Sequence, residues 1–100
     1  MFKELDPILH SQLRLAVMSL LITEKTASFT FLMEKTGSTA GNLSVQLDKL
    51  ADAGYITIEK SFKGKKPLTT ATITRAGIRA FENYVESLRQ YIDRDHQQPK

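Results

Sequence analysis

The chain contains no cysteine and only two histidines. The first absence excludes a disulfide framework, a thiolate metal site and a cysteine nucleophile, and it fits a reducing compartment. His10 and His96 stand far apart and lack carboxylate neighbours at ligand spacing, so neither a metal site nor a cofactor is expected. Long apolar runs are missing too. The longest, Leu13 to Ile22, is too short for a bilayer and is broken by Arg14 and Ser19. No basic-then-apolar leader opens the chain, so a cytoplasmic location is expected. There is no nucleophile–base pair, no phosphate-cradling glycine loop and no carboxylate pair on one helical face, and no enzymatic activity is expected. No repeat or low-complexity tract divides the sequence.

What is present is a single domain's worth of chain. One hundred residues, 41% of them hydrophobic, suffice for one modest core, to which burial against a partner would add. The net charge of +3 mildly favours an anionic partner. Its placement is more informative than its size. The segment Glu59 to Lys66, EKSFKGKK, sets four lysines against one glutamate, so it carries a local charge equal to that of the whole chain.

Hydrophobic periodicity divides the chain into helices and strands. Asp6-Pro7 has the form of a helix cap followed by a first helical residue, and predicts a helix from Pro7 to about Ile22. Its apolar stripe is Leu9, Leu13, Ala16, Val17, Leu20 and Leu21, with Ile8, Leu15 and Met18 as surplus on the flanks. Ala27 to Thr30 is short and β-prone. Thr30 is the expected cap of a second helix, Phe31 to Thr36, ended by Gly37. Ser38 is the expected cap of a third, which Gly54 ends in a left-handed conformation. In that third helix Ala40, Leu43, Leu47, Leu50 and Ala51 share one side, and Gly41, Asn42, Val45, Asp48, Lys49 and Asp52 the other. Two short helices meeting at a glycine-containing turn form a helix-turn-helix pattern.

Beyond Gly54 the period changes from 3.6 to 2. Tyr55 to Lys60 and Leu68 to Thr74 read as two strands of an antiparallel hairpin, joined by the basic loop Lys63-Gly64-Lys65-Lys66-Pro67. Thr74 then caps a long helix, Arg75 to about Arg94. Along it Ile78, Phe81, Val85, Leu88 and Ile92 repeat at near-heptad spacing, which suits a dimerisation seam. Residues 1–94 are therefore expected to be one winged helix-turn-helix domain whose last helix, about 75–94, dimerises, and 95–100 a disordered tail. The fold class is mainly α with a small antiparallel hairpin, in the order helix-strand-helix-helix-strand-wing-strand-helix.

The run GNLSVQLDKLADAGYITIEKSFKGKKPLTTATITRAGIRAFENY resembles the winged-helix domain of MarR-like and ArsR-like transcriptional regulators. The resemblance is carried by Asn42-Leu43-Ser44, Leu47-x-x-Leu50, Gly54-Tyr55-Ile56, the lysine wing and the exit Thr72-x-Thr74-x-x-Gly77. It extends over about Pro7 to Ile92, with His10-Ser11 and Arg14 matching the first helix. It implies a homodimeric DNA-binding repressor or activator.

In such an arrangement the second helix of the motif enters the major groove and its N-terminal residues meet base edges. Thr39, Gly41, Asn42, Val45 and Gln46 hold those positions. Asn or Gln can pair with adenine, and valine can touch a thymine methyl. Ser38, Thr39 and Ser44 hydroxyls can hold a phosphate, and Lys49 lies farther along the backbone. Lys63, Lys65 and Lys66 would follow the flanking backbone or the minor groove and supply affinity and salt dependence. The expected partners are double-stranded DNA, a second copy of the chain, and a small hydrophobic effector in an apolar crevice between the dimer helices, near Tyr84 and Tyr91. The alternative reading is a winged-helix module for protein–protein contact with no DNA target, its lysine wing resting on an acidic partner.

Overall fold

Residues 2–92 are described in a computed structural model. The expected tail, His96 and the last turn around Arg94 lie outside the described residues. The order is α1 (Gln12–Glu24), β1 (Thr26–Ser28), α2 (Phe29–Thr36), α3 (Ala40–Asp52), β2 (Ile56–Lys63), β3 (Lys66–Ile73) and α4 (Arg75–Ile92). The three strands form one antiparallel sheet in the order β1-β3-β2. This is a winged helix-turn-helix, as the element order predicts.

Several boundaries move for local reasons. Asp6-Pro7 does start helical structure, but only a turn. The Asp6 carboxylate accepts from Ile8 N at 2.8 Å, and the Asp6 carbonyl accepts from Leu9 and His10 N. The chain then re-enters extended geometry at Ser11 (φ −154°), and α1 begins five residues later than Pro7. At α2 the cap is Ser28, whose hydroxyl accepts from Phe31 N at 3.1 Å, so Thr30 lies inside the helix. At α3 the cap is Thr39, accepting from Asn42 N at 3.2 Å; Ser38 instead bonds Thr36 Oγ1 at 2.9 Å. Each stretch holds two neighbouring hydroxyl residues able to cap. The turn before the helix decides which is used.

The core is aliphatic. Leu9, Val17, Met18, Leu21, Leu32, Leu43, Leu47, Leu50 and Ile56 are essentially inaccessible. Full burial of such a side chain contributes about 1.5–3 kcal/mol relative to exposure. Met18, assigned to a flank by periodicity, is wholly buried, and Ile8 and Leu15 pack against the same cluster. The flank surplus of α1 therefore belongs to the chain's own core. Ala40 is exposed because it opens α3 one turn before the core begins.

The N-terminal segment is tied down along α4 and to the base of β2. Tyr55 donates its hydroxyl to the Asp6 carboxylate at 2.6 Å. That hydrogen bond, aided by partial burial and the carboxylate's charge, pushes the Tyr55 phenol up to about 12. His10 Nδ1 meets the Tyr84 hydroxyl at 3.0 Å, and Tyr91 stacks on Phe2 with ring centres 4.7 Å apart while donating to the Lys3 carbonyl.

The last helix carries two apolar faces, one residue out of phase. Gly77, Tyr84 and Ser87 are buried against the rest of the chain, at intervals of seven and three residues. The predicted seam is offset from them by one position, about 100° round the helix. It is only partly covered at Ile78, Phe81 and Leu88, and open at Val85 (36% exposed) and Ile92 (68%).

Candidate nucleic-acid interface

The third helix stands on the core through Leu43, Leu47 and Leu50 and turns Gly41, Asn42, Ser44, Val45, Asp48 and Lys49 to solvent. Its leading turn is nearly neutral. Val45 is 51% exposed, and no Cβ at Gly41 would meet an atom within 4 Å, so that turn is sterically open.

Asn42 and Gln46 do not act alone. Gln46 Nε2 donates to Asn42 Oδ1 at 3.0 Å, and Gln46 Oε1 accepts from Arg14 Nη1. The Arg14 Nε in turn donates to the Ile8 carbonyl at 2.6 Å. A guanidinium on α1 thus fixes both amides through one chain of hydrogen bonds. It leaves the Asn42 Nδ2 donor and a second Oδ1 lone pair facing outward. Arg14 is a residue that the sequence signals only weakly, as one cation interrupting an apolar helix. Of the hydroxyls expected on a phosphate, Thr39 accepts from Asn42 N and keeps its proton to donate, whereas Ser38 donates to Thr36 Oγ1, whose own proton goes to the Leu32 carbonyl, and so has none left for a phosphate.

The wing is longer and tighter than the predicted loop. The ladder runs without a bulge from Ile56↔Ile73 to Lys63↔Lys66, so only Gly64 and Lys65 form the turn. Gly64 adopts φ 66° and Lys65 a negative φ, as a two-residue turn with glycine first requires. Lys63 and Lys66 are therefore ladder residues held opposite each other, not loop residues. With Lys60 and Lys65 they are all exposed, and among the described residues none of the four is ion-paired.

Helix and wing face a common space. A cavity of about 260 Å³ lies between them, lined by Ser44, Leu47 and Asp48 of α3, Ile58, Lys60 and Thr69 of the ribbon, and Phe29. A second cavity, about 440 Å³, lies on the opposite flank between the N-terminal segment and α4. Its lining mixes Leu5, Pro7, Ala80 and Tyr84 with Asp6 and Arg79. Tyr91, expected in the effector crevice, does not line it.

A helix-turn-helix whose second helix is flanked by a cationic β ribbon defines the winged-helix class of DNA-binding domains. Comparison with known proteins agrees. Residues 13–92 match the family described as winged helix DNA-binding domain, and the chain belongs to that family. An uncharacterised protein of Methanocaldococcus jannaschii is 34% identical over 83 residues, spanning 83% of this chain and 90% of its own. Among solved structures, the transcriptional regulator homologue protein from Pyrococcus horikoshii OT3 superposes with a TM-score of 0.80 at 28% identity, covering 86% of this chain and 85% of that one. NMB1585, a MarR family regulator from Neisseria meningitidis, shares the fold at a TM-score of 0.60 and 21% identity, over 82% of this chain and 57% of its own. Among the described residues no helix is long and apolar enough to cross a membrane.

Proposed function

We propose that this protein is a homodimeric, sequence-specific transcriptional regulator of double-stranded DNA in the cytoplasm. The observation that supports the reading is the cavity shared by α3 and the wing, where Ser44 and Asp48 of the helix stand across from Lys60 and Thr69 of the ribbon, beside a wing tip whose lysines are exposed. The first turn of α3 enters the major groove. Asn42, oriented by Gln46 and Arg14, reads a base edge, and Val45 touches a thymine methyl. Thr39 and Ser44 with the amides of Ala40 and Gly41 hold a phosphate, Lys49 contacts the backbone farther along, and Lys63, Lys65 and Lys66 follow the flanking duplex. The outward seam of α4, Ile78, Phe81, Val85, Leu88 and Ile92, joins two copies, because Val85 and Ile92 stand exposed among the described residues. Two α3 helices then meet half-sites about 34–36 Å apart.

Selection of bound sites from random duplex DNA tests this reading. The expected product is an inverted repeat with centres about 10 base pairs apart. The double variant V85D/I92D should stay folded but melt below the parent, since the native state loses the stabilisation of association, and it should elute at half the mass of the parent and lose most of its affinity for the paired site. Enrichment of no sequence, or a variant that remains dimeric, would refute it.

The 440 Å³ crevice is the proposed effector site. Its mixed lining suits a small amphipathic molecule better than a wholly hydrophobic one. A thermal-shift screen with small aromatic acids and amines should raise the melting midpoint for at least one class. The shift should vanish in R79A, and a flat screen would count against the site.

A further inference from the structure

Among the described residues, Phe62 is the most open of the large apolar side chains, at 73% exposure. Its direction follows from the ladder. Side chains alternate along a strand, and the register of β2 on β3 is unbroken, so Ile56, Ile58, Lys60 and Phe62 share one face of the ribbon with Ile73, Ala71, Thr69 and Pro67. The base of that face is core: Ile56, Ala71 and Ile73 are buried. Its middle, Lys60 and Thr69, looks across the cavity at Ser44 and Asp48 of α3. Phe62 stands two residues farther out, about 7 Å, on the same side. It lies opposite Pro67 in the register and contributes nothing to the core. Lys60 shares its face, Lys63 and Lys66 project from the opposite face one position farther out, and Lys65 is in the turn; none of the four is ion-paired among the described residues.

An open phenyl ring on a ribbon tip that carries exposed lysines on both faces matches the chemistry of a nucleic-acid backbone with stackable bases. Anionic lipid shares the charge but not the geometry. One phenyl on a two-residue turn offers too little apolar area for a membrane anchor, whereas a base step takes one side chain. The ring is also on the side of the ribbon that faces Ser44 and Asp48 of α3, so it falls on the stretch of duplex flanking the groove that α3 would occupy.

We propose that Phe62 is an apolar wedge that enters the minor groove beside the α3 site and partly unstacks one base step. The wing then reads the deformability of the flanking duplex as well as its charge, and it favours a flexible pyrimidine–purine step there. This inference rests on the DNA-binding reading and adds a contact to it.

The test uses a duplex selected with the parent protein, carrying end fluorophores for bending and 2-aminopurine at the flanking step. The parent should bend the duplex and brighten the 2-aminopurine. F62A should bind about 10-fold more weakly, within the range that loss of one stacked base produces. It should also lose the bend and the fluorescence rise, with an unchanged salt slope and melting temperature. F62L, still an apolar wedge, should keep most of the bend. Equal affinity and equal bend for F62A and the parent would overturn the wedge while leaving DNA binding intact. A parent that binds phosphatidylserine vesicles through Phe62 and binds no duplex would overturn both.

Discussion

Replacing Lys63, Lys65 and Lys66 together by alanine should flatten the salt dependence of duplex binding. In a dimer the change removes six cations. If each neutralises one phosphate, the slope of log affinity against log salt falls by about 5. Between 50 and 200 mM salt the parent should then lose about 10³-fold more affinity than the variant. The three side chains are exposed and unpaired among the described residues, so the melting temperature should hardly change. Sequence preference should survive, since α3 and not the ribbon meets base edges in the major groove. An unchanged slope would assign the wing to another partner and favour the protein–protein alternative.

Gly77 should be intolerant of the smallest possible substitution. Alanine for glycine inside a helix ordinarily stabilises by about 0.5–1 kcal/mol. At Gly77 the sign should reverse. A Cβ there would collide with the Tyr55 carbonyl oxygen and press on Ile73 Cγ1 at 3.0 Å. The carbonyl cannot retreat, because it accepts from Thr74 N at 3.0 Å while Tyr55 N is bonded to the Leu50 carbonyl and the Thr74 hydroxyl to that of Gly54. Crowding of this kind costs about 3 kcal/mol. At about 4–8 °C per kcal/mol for a domain of this size, G77A should melt about 12–24 °C lower. Gly41 provides the contrast: its Cβ would meet nothing within 4 Å, so G41A should melt slightly higher. Thermal unfolding of the two variants beside the parent checks both signs, and equal behaviour would remove the steric account.

These two glycines show how far a sequence can be read. Both sit in helices, and composition cannot tell them apart. Gly77 falls in the exit pattern Thr72-x-Thr74-x-x-Gly77 that accompanies the family resemblance, but the reason for glycine is a carbonyl 22 residues earlier in the chain. The same limit applies to Arg14, whose partner Gln46 is brought to it only when α1 and α3 pack. Phe62 was legible in principle, since counting by twos from the buried Ile56 places it on the inner face. The lysines around it suggested a loop, and that hid the strand.

The sequence by itself determined the order of elements, the inward faces of α3 and β2, the cation-rich ribbon and the left-handed glycines at 37 and 54. All of these rest on local periodicity, turn chemistry and charge, which act between residues close in the chain. Only the tertiary structure decided that Arg14 meets Gln46, and that the two apolar faces of α4 divide between core and open surface. It also decided that Ser44 and Asp48 of α3 and Lys60 of the wing line one cavity. Those outcomes depend on contacts between segments far apart in sequence, and such contacts exist only once the core around Leu43, Leu47 and Leu50 has closed.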